Sequence, residues 1–496
     1  MTRRFLPVFA AAALIVGLAV PAATSAATGH MKPSLVMDAQ PVQVAADGPA
    51  YGLRTCQVGL SVGQCYDPYQ MRTAYGVDKL IAAGYNGRGK TIVIVDAFQD
   101  PNIVAQLNTF DAYYGLTPMN AGRGTPTFTQ VSPEGLPVYD AGWSEEISLD
   151  VLWAHAIAPG ANIVLEQAKD NNDSSLIKAL NDAVNKKRGD VVSMSFGESD
   201  TCVLAADAMA WHQAFVNATL KGITLFASSG DQGVLQPTCD NNSWLKSTSS
   251  PASDPLVTAV GGTELHAADY CLASLGCDPT ANPGPGTWLS EIAWNEGYPY
   301  GDFQDQFDST LATGGGFSAV FSEPAYQKGT FKSDGLGVPD VAYNGAVLHG
   351  VLTYLNLPGV PVGWYRFGGT SAGSPQWAAL MAIADQKAGH DLGFINAALY
   401  HRISPSRTYY AASLHDILTG TNSALEYDAS GNPVDVTGFT AGKGWDATTG
   451  FGSPKANKLI PYLVSLVSPG DGIAAIAGSS PHPRGNQSSP GHQKSQ

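Results

Sequence analysis

Positive charge is what this sequence has least of. Its 496 residues hold 27 Lys and Arg against 42 Asp and Glu, a formal net charge of −15, and only 14% of residues are charged at all. That balance speaks against nucleic acid or an anionic membrane as a partner, since both require basic patches. It also suits acid. A chain poor in Lys and Arg loses most of its charge when carboxylates protonate, so low pH generates little positive self-repulsion. Beyond one N-terminal stretch, no run is long and apolar enough to span a bilayer. C-x-x-C pairs and Cys/His clusters at zinc spacing are missing too, and no internal repeat is visible.

The N-terminus carries Arg3 and Arg4, then the apolar "LPVFAAAALIVGLAV", then "AATSAAT" with small residues for cleavage near Ala26 or Ala27. This is the form of a secretory signal peptide, so residues 1–27 are read as a leader and the mature chain as secreted and extracellular. Cys56, Cys65, Cys202, Cys239, Cys271 and Cys277 fit disulfides in such a chain, and proximity favours 56–65, 202–239 and 271–277. Residues 28–60 are polar and rich in small residues, a flexible or wrapping segment. Residues 61–468 form the folded domain, and 469–496 read as a disordered tail.

Within the domain, "KTIVIVDAF" (90–98), "ANIVLEQA" (161–168), "GDVVSMSFG" (189–197), "GITLFASSGD" (222–231) and "PLVTAVGGT" (255–263) are apolar runs without alternation. Such runs are strands buried on both faces, hence a parallel sheet. Helical stretches at 145–158, 174–187 and 205–221 separate them. The fold class is α/β, a doubly wound, mostly parallel sheet, with ligands expected beyond the carboxyl ends of the strands. From about 264 to 345 the chain reads as loop-rich.

One stretch raises the question of a nucleophile: "FGGTSAGSPQW" (367–377). Gly369–Gly373 satisfies G-x-S-x-G, the nucleophile elbow of lipases and esterases, and also reads as G-T-S-A-x-x-P. Asp385, Asp391, Asp416, His390, His401 and His415 follow Ser371 and would allow the order acid then histidine. However, the two glycines of "RFGGT" make a poor end for the strand an elbow needs. Nor does any of the ten histidines lie in an H-G-T-H at a helix start. What the chain offers instead is "GWSEEISLDVLWAHAIAPGA". Ile147, Val151, Ala154 and Ala158 form its buried stripe, while Glu146 and Asp150, at i and i+4, share an adjoining face. Two such carboxylates can share a proton and titrate as a unit, giving a base suited to acid.

"SEEISLDVLWAHAIAPGA", "VVSMSFG", "LFASSGDQG", "ATGGGFSAVFSEPAYQ", "GVPDVAYNG", "FGGTSAGSP" and "GWDATTGFGSP" occur in the order seen in sedolisins, the serine-carboxyl peptidases. The chain resembles that family over about residues 65–465. The resemblance implies a subtilisin-like fold and an acid-acting serine endopeptidase working on proteins or peptides. By it Ser371 aligns with the nucleophile, Glu146 with the general base, Asp150 with the acid that orients the base, and Asp231 with the oxyanion-hole aspartate. Asp96 aligns with an acid the sedolisin triad does not use and is read as structural or as a supporting partner. The resemblance further implies one structural Ca2+, with carboxylates from Asp416 and Asp446 and carbonyls from Ile417, Gly442 and Gly444. Sedolisins usually carry a long N-terminal prodomain, which is expected to be missing or vestigial here. A monomer is expected, and a GxSxG esterase or a catalytically silent binding protein are the alternatives.

Overall fold

The computed structural model describes residues 30–37, 40–44, 52–278, 280–301 and 309–479. The expected leader, residues 1–27, and residues 480–496 of the expected tail lie outside the described residues.

The apolar runs form one eight-stranded sheet: β1 (Thr91–Ala97), β2 (Phe128–Val131), β3 (Asn162–Ala168), β4 (Val191–Met194), β5 (Thr224–Ser228), β6 (Thr258–Ala267), β7 (Trp288–Ala293) and β8 (Val341–Asn344). Its order is β7-β6-β5-β4-β1-β3-β2, with β8 paired to β6. All pairs are parallel except β6 with β7. The lack of alternation in the strand sequences has a direct cause. Ile92 and Ile94 enter the core on one face, Val93 and Val95 the core on the other, and all four are buried.

Helices α1 (Ala141–Ile157) and α4 (Gly373–Ala388) cover the first face; α2 (Asp173–Asn185) and α3 (Ala205–Leu220) cover the second. The expected stripe on α1 proves too narrow, since the helix is buried nearly all round, Glu146 and Asp150 included. A further layer, with helix Ile103–Tyr114 and strand His349–Leu355, lies on its outer side; there Trp153 Nε1 donates to Thr353 Oγ1 at 3.2 Å. Asp140 caps the helix by accepting from the Trp143 N–H, and Pro159 follows its end.

All three expected disulfides are formed. Three expectations need correction. The stretch 264–345 contains strands, among them Trp288–Ala293, Gly316–Ser322 and Gly335–Val338. Residues 470–477 of the supposed tail form a helix, held by the Arg402–Asp471 ion pair. Of the two readings of residues 28–60, flexible or wrapping, the described part is not flexible: Lys32–Pro33 and Val36–Met37 pair antiparallel with Phe196–Gly197 and Phe367–Gly368.

Candidate active site

Parallel strands aim their carboxyl ends at one edge, and the candidate residues gather there. Asp96 lies near the end of β1, Ser195 just after β4 and Asp231 just after β5. Strand Gly363–Gly368 runs almost into Ser371, contrary to the expectation from its glycines. This strand belongs to a hairpin with His349–Leu355, outside the parallel sheet, so an elbow on a central strand is still not formed.

The glycines of the motif have separate tasks. Gly369 has φ +94°, and a Cβ there would lie 2.5 Å from Asp231 Oδ2 and 2.5 Å from the Ser34 carbonyl oxygen. Gly373 is helical (φ −79°, ψ −42°), and a Cβ on it would come within 2.8 Å of Val260 Cγ1. Its glycine lets α4 approach β6; the G-x-S-x-G match is incidental.

Ser371 is buried, and its Oγ donates to Glu146 Oε2 at 3.0 Å, with the Ser195 carbonyl at 3.3 Å. Asp150 Oδ1 accepts from Ser195 Oγ at 2.9 Å. Glu146 Oε1 and Asp150 Oδ2 are buried without a hydroxyl or N–H donor, which a proton shared between the two carboxyls satisfies. Both oxygens of Asp96 are likewise buried and unpartnered. Burial raises the Glu146 carboxyl well above its usual range, with the charges of Asp150 and Asp96 adding to the effect. Burial also lifts Asp96 strongly, and Asp150 to about 8. These carboxyls form a coupled set. The first to ionise raises the others, so one negative charge is shared while the remaining protons are held.

Asp231 is separate. Its Oδ1 accepts from Thr370 N and Thr370 Oγ1, both at 2.8 Å, while its buried Oδ2 has no hydrogen-bond partner. Burial lifts this carboxyl to about 7, against the lowering effect of the Thr370 bonds. A neutral Asp231 therefore presents an O–H from Oδ2, beside Gly369. Burial lifts Asp150 higher than Asp231, to about 8 against about 7, so burial alone does not make Asp231 ionise after the Glu146–Asp150 pair.

The histidines considered for an esterase are engaged elsewhere: His401 with the Tyr326 carbonyl at 2.8 Å, His415 stacked on Trp288 at 4.2 Å between centroids. Asp385 is buried on α4 and accepts from Leu392 N, and Asp391 pairs with Lys90. His155 is fully buried against Asp111 and Thr117. Asp96, read from the sequence as structural or as a supporting partner, stands in the structure as a third unpartnered carboxyl of the acidic set; its burial beside Asp150 is what the sequence did not show.

The five residues expected to hold calcium converge in part. Tyr410 Oη lies 2.8 Å from Asp416 Oδ1, 3.3 Å from the Gly444 carbonyl and 3.1 Å from the Phe451 carbonyl. One hydroxyl proton cannot satisfy three acceptors, and such a convergence of oxygens fits a hard cation. Asp446 fits less well. Its carboxylate accepts from Gly442 N and from backbone and hydroxyl donors of Thr448 and Thr449. Ile417 is buried beside Asp416.

The description "subtilase family" matches residues 142–406, more than half of the chain. Kumamolisin of Bacillus sp. (strain MN-32) is 30% identical over 419 residues, which cover 81% of this chain and 64% of that protein. Sedolisin of Pseudomonas sp. (strain 101) is 29% identical over 432 residues, covering 84% and 64%. Among solved structures, Pseudomonas sedolisin, a serine-carboxyl proteinase complexed with two molecules of pseudo-iodotyrostatin, matches at TM-score 0.64 and 27% identity. The match covers 82% of this chain and 99% of that chain. The chain thus spans a little under two thirds of the length of these two curated relatives. With the subtilase match, these relatives and the shared architecture, the chain belongs to the subtilase family, among its sedolisins.

Proposed function

We propose that this protein is a secreted serine-carboxyl endopeptidase that hydrolyses peptide bonds in acid. The observation that carries the reading is the 3.0 Å hydrogen bond from Ser371 Oγ to Glu146, within a carboxyl set that can hold both a charge and protons. Ser371 Oγ attacks the peptide carbonyl as Glu146 takes its proton. Asp150 holds the second face of Glu146, and Ser195 Oγ orients Asp150. The developing oxyanion receives the Ser371 backbone N–H and the neutral Asp231 carboxyl. Glu146 then protonates the leaving amine, and water hydrolyses the acyl-enzyme by the same route in reverse. An ionised Asp231 would repel the oxyanion, which ties activity to acid.

The N-terminal signal pattern and three disulfides support export to an oxidising compartment. Proteins and peptides are the proposed substrates, and the chain is proposed to act as a monomer. One Ca2+ held by Asp416, the Gly444 carbonyl and their neighbours would brace the C-terminal loop and take no part in the chemistry.

The test is digestion of a denatured protein by the purified chain across pH 3 to 8. Peptide release is expected on the acid side of neutrality. Hydrolysis of simple esters without peptide cleavage would overturn the reading in favour of an esterase.

A further inference from the structure

Two histidines and a glutamate outside the catalytic set come together where β6 meets the residues that follow β8. Glu264 and His266 lie two apart on β6, so both side chains stand on one face of the sheet. Past Thr263, β6 pairs with β7 alone, because β8 ends at Asn344 opposite Thr263. His349, the first residue of strand His349–Leu355, comes against the edge so opened. Asn344 fixes it there: its Oδ1 accepts from the Leu265 N–H at 3.0 Å, and its Nδ2 donates to the His349 carbonyl at 2.7 Å. Gln64 adds a second tie. It pairs in register with His349, and its Nε2 donates to the Ala267 carbonyl at 3.2 Å.

The three side chains bring their ligand atoms to one point. His266 Nε2 lies 3.1 Å and His349 Nδ1 3.3 Å from Glu264 Oε1, and all three atoms fall within 4.8 Å of one another. Ligand atoms about 2.0–2.1 Å from a tetrahedral zinc ion stand about 3.4 Å apart, so the spacing fits a shared ion. The bland alternative is two histidine–carboxylate ion pairs and nothing more. Against it, Glu264 is 1% exposed, yet neither of its oxygens accepts a hydrogen bond. A buried carboxylate without donors is costly, and a cation in contact with it offsets that cost.

The surrounding charges act in both directions. Arg366 acts on His349 and opposes a cation, while its Nη1 donates to the Val62 carbonyl at 2.7 Å. Glu296 acts together with Glu264 and favours one. Glu296 itself is taken up by Trp294 Nε1 and the N–H groups of Val347 and Leu348, which leaves it outside the ligand set.

We propose that Glu264, His266 and His349 bind one divalent transition-metal ion of the zinc class. Imidazole nitrogens select such an ion over calcium, which takes oxygen ligands. Water completes the coordination on the side of His266, whose side chain is 35% exposed. The role follows from what the ion joins. The Gly345 N–H donates to the Thr263 carbonyl at 2.8 Å, and the Gly345 carbonyl accepts from the Gly369 N–H at 2.7 Å. Gly345 thus fastens one end of residues 345–349 to β6, and the ion fastens the other end at His349. The bound ion braces the segment against which Gly369, two residues before Ser371, rests.

The experiment is a calorimetric titration of the full chain with Zn2+ at pH 7, with thermal melts in its presence and absence. The expected result is one saturable site per chain and a Tm raised by excess Zn2+. His266→Ala is the first variant, since that side chain is partly exposed and its loss leaves the core intact. It should raise Kd at least about a hundredfold, because losing even a supporting partner of a metal site costs about 10- to 100-fold. Glu264→Gln should do the same. His390→Ala, which removes an exposed histidine elsewhere, should leave Kd unchanged, and Ca2+ at equal concentration should not displace Zn2+. Absence of saturable Zn2+ binding, equal binding by His266→Ala, loss of binding in His390→Ala, or displacement by Ca2+ would each overturn the proposal.

Discussion

Ser371 Oγ lies 3.0 Å from Glu146 Oε2, although the two residues stand 225 positions apart in the chain. One comes from the turn into α4, the other from α1, and both helices pack on the same face of the sheet. The contact gives the hydroxyl a carboxylate acceptor where a histidine would otherwise be needed. Glu146→Gln keeps the size and removes the base. Its kcat is expected to fall by about 10²–10⁴-fold with KM little changed, as measured on a peptide substrate. A fall confined to KM would count against Glu146 as the base.

Asp231 is expected to set the alkaline limb of the pH profile. Its carboxyl, raised to about 7, must stay neutral to donate, so kcat/KM should decline as pH passes that value. Asp231→Asn supplies a donor that does not ionise. It is expected to lose about ten- to a hundredfold at pH 4 to 5 and to show a much weaker decline between pH 6 and 8 than the parent. An unaltered decline in the variant would assign that limb to another group.

The same burial bears on stability. Asp340 and Glu296 are lifted to about 7, Asp385 to about 8, each mainly by burial. Folded carboxyls that hold protons more tightly than unfolded ones stabilise in full below about pH 4 and lose that contribution as pH rises toward 7 or 8. His349 and His415, lowered to about 3 by burial, act the other way, losing stabilisation as pH falls from about 6.5. The carboxyls outnumber them. Thermal unfolding should therefore show a Tm at pH 5 roughly 5 °C or more above that at pH 8. A Tm that rises from pH 5 to 8 would contradict the assignment.

Much of this was legible in the sequence. The strands were plain because both faces of the sheet are covered, which turns alternation into apolar runs. The Glu146–Asp150 spacing was legible as a pair. Its burial was not, because nothing local to α1 announces the outer layer of helix Ile103–Tyr114 and strand His349–Leu355. The segment around Ser34 escaped for another reason. Its two-residue strands pair through backbone atoms, and two residues are too few to form a pattern. The helix Gly470–Ala477 was hidden by its glycines, and the Arg402–Asp471 contact that fixes it is long-range. Glu264, His266 and His349 also come together only in the fold, from positions without metal-site spacing.

Calcium makes a separate prediction. An ion bound only by the folded chain stabilises it by about 2.7 kcal/mol at a hundredfold excess over Kd. Excess chelator should lower the Tm by several degrees, and Asp416→Asn should lower it similarly while abolishing the response to chelator. A melt unchanged by chelator would remove the ion from the account.

The central claim is that Ser371 is the nucleophile of an acid peptidase. The most direct measurement is peptide release from denatured protein at pH 4 to 5 by wild type and by Ser371→Ala, with thermal melts of both. Wild type should digest the substrate, and the variant should be at least about 10⁴-fold slower with a Tm within a few degrees of the parent. Digestion by Ser371→Ala near the wild-type rate would contradict the account.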